Sequence, residues 1–75
     1  MKTNPLDPAC PVWRADDGTP LACHEKIKVM NENFRELRQS ALDSLEDALL
    51  MGGSDAQWRR ELHVMIDALA SDFVA

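Results

Sequence analysis

From residue 23 onward, apolar side chains recur at Cys23, Ile27, Met30, Phe34, Leu37, Ala41, Ala48 and Met51, in steps of four and three, with Ser44 filling the one missing place. Steps of that size put these positions on one face of a helix, as the seam of a heptad pattern. From residue 41 the stripe widens, because Leu42, Leu45 and Leu49 join it. Lys26, Lys28, Glu32, Arg35, Glu36, Asp43, Glu46 and Asp47 occupy the other faces, as a solvated surface requires. The pattern predicts a long helix over about 20–51. Thr19 is its expected N-cap and Pro20 its first helical residue, where a missing N–H costs nothing.

Gly52-Gly53 ends that pattern, since glycine takes the left-handed conformation that closes a helix. Ser54-Asp55-Ala56-Gln57 then reads as a capping box, and Asp55 complements the dipole of the helix it opens. A shorter helix over about 54–74 follows, with Trp58, Leu62, Met65, Ile66, Leu69 and Phe73 on one broad face. A stop signal, two glycines and a start signal predict a tight antiparallel helical hairpin. All four prolines lie in the first twenty residues, so 1–18 reads as an irregular proline-rich arm.

The element lengths call for further cover. At 1.5 Å per residue the first helix would be roughly 48 Å long and the second roughly 30 Å. The second helix therefore stops short of Cys23, Ile27 and Met30. The arm could cover them through Leu6, Val12 and Trp13, with Trp13 as its anchor, or a second chain could. Two helices alone meet along a single line, which leaves Leu42, Leu45 and Leu49 uncovered. Pairing two hairpins into a dimeric four-helix bundle buries them. The expected fold is all-α, one hairpin domain over 1–75, dimerising through Leu42, Leu45, Leu49, Ile27 and Met30. A monomer closed by its arm is the alternative.

Composition supports this economy. A domain near 75 residues buries only about 60% of the surface its unfolded chain exposes, so such chains usually add a disulfide, a metal or a partner. Hydrophobic residues make up 45% of the chain, too many for general disorder, and with two Trp, two Phe and no Tyr the core must be largely aliphatic. The net charge of −5 repels phosphate backbones and anionic lipid, so nucleic acid and membranes are not expected partners. No apolar run reaches the roughly 20 residues that span a bilayer, and Met1-Lys2-Thr3-Asn4-Pro5 lacks the apolar stretch of a secretory signal. A cytoplasmic protein with reduced thiols is the expectation.

Few residues offer chemistry. Cys10 and Cys23 read first as two small apolar side chains. A disulfide closing the arm is a second reading, worth about 3 kcal/mol for a loop of that size. A metal or haem site is a third, since Cys10-Pro11 resembles the short Cys-Pro haem-responsive motif. Cys10, Cys23 and His24 are the candidate metal ligands, but His63 falls about 27 Å from His24 along the hairpin axis and cannot join them within one chain. His24 and His63 read as surface and flank residues. Pro5, Pro8 and Pro11 share the period of a polyproline helix, and a stiff arm explains them more simply than a docking motif. Arg59-Arg60 and the lysines and arginines of the first helix are interleaved with acids and form no phosphate-binding stripe. Trp58 reads as a core residue.

No nucleophile stands beside an evident base, and neither a phosphate loop nor a metal-ligand cluster appears. The sequence points to a small non-enzymatic interaction or accessory module without a cofactor, self-associating through its helices and able to bind another protein. Its rival is a redox- or metal/haem-responsive protein that senses through Cys10 and Cys23.

Overall fold

The structure is a computed structural model and describes residues 9–71 and residue 73. Two helices account for most of them: α1, His24–Leu50, and α2, Asp55–Ala68. The fold is all-α, the two helices pack against each other, and no strand occurs among the described residues beyond one isolated antiparallel bridge between Arg14 and Pro20. The chain divides into two compact units, Met1–Ser40 and Ala41–Ala75, and α1 runs from the first into the second.

In the first unit the chain folds into a small hairpin loop before α1 begins. Leu21 N–H donates to the Trp13 carbonyl at 2.9 Å, and Ala15 N–H donates to the Thr19 carbonyl at 2.8 Å. Asp17-Gly18 makes the turn, with Gly18 at φ +91, a conformation glycine adopts at little cost. The Asp17 carboxylate accepts from both the backbone N–H and the hydroxyl of Thr19, at 3.0 and 2.7 Å, and Arg14 Nη1 donates to the Gly18 carbonyl at 2.9 Å.

This loop corrects the expected helix start. Thr19 is not an N-cap and Pro20 is not the first helical residue, because both belong to the hairpin. A residue before proline also avoids the helical region, which keeps Thr19 extended. The first helical bond arises further on, where Ile27 N–H donates to the Cys23 carbonyl at 3.0 Å, and α1 starts at His24.

In the second unit α1 ends as expected. Gly52 stands at φ +89, and Gly52 and Gly53 donate to the Leu49 and Ala48 carbonyls at 3.1 and 2.7 Å. Ser54 caps α2 by accepting from Gln57 N–H at 3.1 Å. Among the described residues of this unit, Ala41, Leu45 and Ala48 on α1 and Trp58 and Leu62 on α2 are the half-buried apolar positions.

The end of α2 differs from expectation. The helix stops at Ala68 rather than near 74, and Leu69 is its extended C-cap. Two local features account for this. Asp67 places a negative charge at the negative end of the helix dipole, with no basic residue in that turn to offset it. The Ser71 hydroxyl accepts from Phe73 N–H at 2.9 Å, a local bond that competes with helical backbone pairing. The broad face expected on α2 is correspondingly uncovered: Met65, Ile66, Leu69 and Phe73 are all exposed.

Candidate functional site

Two places in the molecule carry more than local structure. The first lies where residues 9–13 meet the first half of α1. Cys10 is 1% exposed and Asn31 only 3%, and they are the buried residues among those described. Trp13 Nε1 donates to Asn31 Oδ1 at 2.7 Å, and the Cys10 thiol lies 3.8 Å from the Asn31 carbonyl oxygen. The Trp13 ring meets Phe34 edge to face, with centroids 5.6 Å apart, and the Arg38 guanidinium stands 5.7 Å over that same Phe34 ring. Arg38 also donates to the Ala9 carbonyl at 3.1 Å.

Asn31, Phe34 and Arg38 follow one another at i, i+3 and i+7, so a single face of α1 receives this segment. A buried amide in a core this small must be satisfied to be tolerated, and Asn31 is satisfied by the one indole N–H within the segment it holds. Asn31 escaped the sequence reading because it looks like a surface residue of the heptad pattern. The legible signal was Asp17-Gly18 between Trp13 and Leu21, a strong short-range hairpin pattern that turns Trp13 back toward the chain that follows.

The candidate ligands do not come together. Cys10 is buried against Asn31, Cys23 is exposed just ahead of α1, and His24 is exposed at its first turn. Neither cysteine is part of a disulfide. Among the described residues, no three of His, Cys, Asp and Glu are grouped to hold a metal ion. His63 is exposed on α2. Pro5, Leu6 and Pro8 lie outside the described residues, and Pro11 and Val12 are half-buried.

The second place is the apolar surface of residues 41–75. Leu42 and Leu49 are 45% and 47% exposed, and their seven-residue spacing sets them two turns apart on one flank of α1. Leu45, between them, is half-buried. Leu50, Met51, Val64, Met65 and Ile66 add further exposed apolar side chains. Trp58 does not simply fill a core position: its Nε1 donates to Ser44 Oγ at 3.1 Å. The polar residue that interrupts the heptad seam is thus the acceptor for the indole of α2.

In the first unit, Ile27 and Met30 are half-buried, while Val29 and Leu37 are exposed. An open groove of about 420 Å³ runs along Leu21, Glu25, Lys26, Val29 and Met30. No described helix is long and apolar enough to cross a membrane. Comparison with protein-family models, with curated proteins and with solved structures finds no match.

Proposed function

We propose that this protein is a non-enzymatic helical interaction module that self-associates, two hairpins pairing into a four-helix bundle. The observation that carries this reading is the row Leu42, Leu45 and Leu49, of which the outer two remain about half exposed. Taking such a side chain from full exposure to full burial gains about 1.5–3 kcal/mol, so with each about half exposed a paired chain recovers roughly 1.5–3 kcal/mol from the two together. Ile27 and Met30 extend the proposed interface along α1. The groove beside Val29 and Met30 leaves room for another protein to add to the assembly. A cytoplasmic setting, where thiols stay reduced, suits two cysteines that form no disulfide.

The double substitution Leu42→Asp/Leu49→Asp tests the reading. Both positions lie on the outer flank, so the hairpin keeps its helical circular dichroism while its mass by light scattering falls to that of one chain. An unchanged mass for this variant contradicts the proposed interface.

A further inference from the structure

The two units differ sharply in charge. Residues 1–40 contain six Lys/Arg and six Asp/Glu, whereas residues 41–75 contain two and seven, so the whole net charge of −5 belongs to the second unit. Of its two cations, Arg59 already donates to Asp55 at 2.6 Å. Asp43, Glu46 and Asp47 stand on the same stretch of α1 as Leu42 and Leu49, and Glu61 and Asp67 on the same helix as the exposed Val64, Met65 and Ile66. Apolar side chains are therefore set in a strongly acidic surround.

Such a surface discriminates among occupants. A second copy satisfies its apolar side chains but sets one acidic unit against another, and like charges across an interface are unfavourable. A basic helix satisfies both requirements: its apolar stripe covers Leu42 and Leu49, and its cations meet the carboxylates around them. We infer that residues 41–75 form a docking surface for a basic amphipathic helix of another protein, which displaces the second copy. The inference rests on the proposed use of Leu42 and Leu49 as an interaction surface.

The test uses the full chain and two synthetic amphipathic peptides of about five helical turns, one with leucines and lysines and the other with glutamates in place of the lysines. The lysine peptide binds in calorimetry, converts the dimer to a complex of one chain and one peptide in sedimentation, and loses about tenfold in affinity between roughly 50 and 500 mM salt. Leu42→Asp/Leu49→Asp abolishes binding even though it makes the chain more acidic. Glu46→Lys/Asp47→Lys weakens binding about tenfold with helix content unchanged. Equal binding of the two peptides, no binding, or undiminished binding of the lysine peptide by the Leu42→Asp/Leu49→Asp chain overturns the inference. A wild-type chain that sediments as a monomer yet binds the lysine peptide supports this inference and contradicts self-association alone. A dimer that ignores the peptide does the reverse.

Discussion

Asn31 and Trp13 meet through one hydrogen bond, and each needs the other for a different reason. Asn31 is 3% exposed, so its side-chain oxygen has little access to water once the indole N–H is removed. Leaving such a group without a partner costs about 1–3 kcal/mol. Trp13→Phe keeps the ring edge on Phe34 but deletes the donor, and Asn31→Ala deletes the acceptor. Each should lower stability to urea by about 1–2 kcal/mol, and the double variant should lose clearly less than the sum. Additive losses would show that the bond contributes nothing of its own.

Asp17 gives a second, pH-dependent case. Hydrogen bonds from the Thr19 backbone N–H, and then from its hydroxyl, favour the charged carboxylate and hold its pKa below the usual value. A carboxyl depressed in the folded state stabilises the fold above its ordinary pKa and loses that contribution as pH falls through the folded value. The Asp17 carboxyl should therefore titrate by NMR at lower pH than the same residue in an unfolded peptide. A Thr19→Val chain should shift that midpoint back upward. An Asp17 midpoint equal to that of the peptide, before substitution, would contradict the turn geometry.

At the scale of elements, the two helix starts make opposite predictions. Ser54 accepts from Gln57 N–H and caps α2, so Ser54→Ala should cost about 1 kcal/mol and reduce helical signal. Thr19 lies five residues before α1 and serves the hairpin loop, so Thr19→Ala should leave the helical circular dichroism of α1 unchanged. A loss of α1 helicity in Thr19→Ala would restore the start expected from Thr19-Pro20.

The existence and type of both helices were legible from the four-three spacing, and the break between them from Gly52-Gly53 and Ser54. Their outer ends were not. At the first end two local signals competed, Thr19-Pro20 for a helix start and Asp17-Gly18 for a hairpin, and the hairpin prevails because its backbone bonds engage Thr19 and Leu21. At the second end no Gly or Pro marks the stop, and an Asp67 charge with a Ser71 side-chain bond supplies it instead. Asn31 stayed hidden for a different reason: its burial depends on a partner eighteen residues away, which no periodicity reveals.

For the whole molecule, the balance between covered and uncovered apolar surface decides the outcome. The described residues bury only Cys10 among their apolar side chains, while Leu37, Leu50, Met51, Ile66 and Leu69 are all exposed. Two helices cannot enclose that much surface by themselves, because a helix pair shares one line of contact. In the proposed assembly a second chain covers that surface and adds the burial that two helices lack.

The sedimentation-equilibrium mass of the wild-type chain, measured across a range of micromolar concentrations, tests that dependence on added protein most directly. Self-association predicts a mass twice that of the chain, falling toward a single chain on dilution with helical signal retained but a lower thermal midpoint. A single-chain mass at every concentration, with full helicity and a cooperative thermal transition, would contradict it.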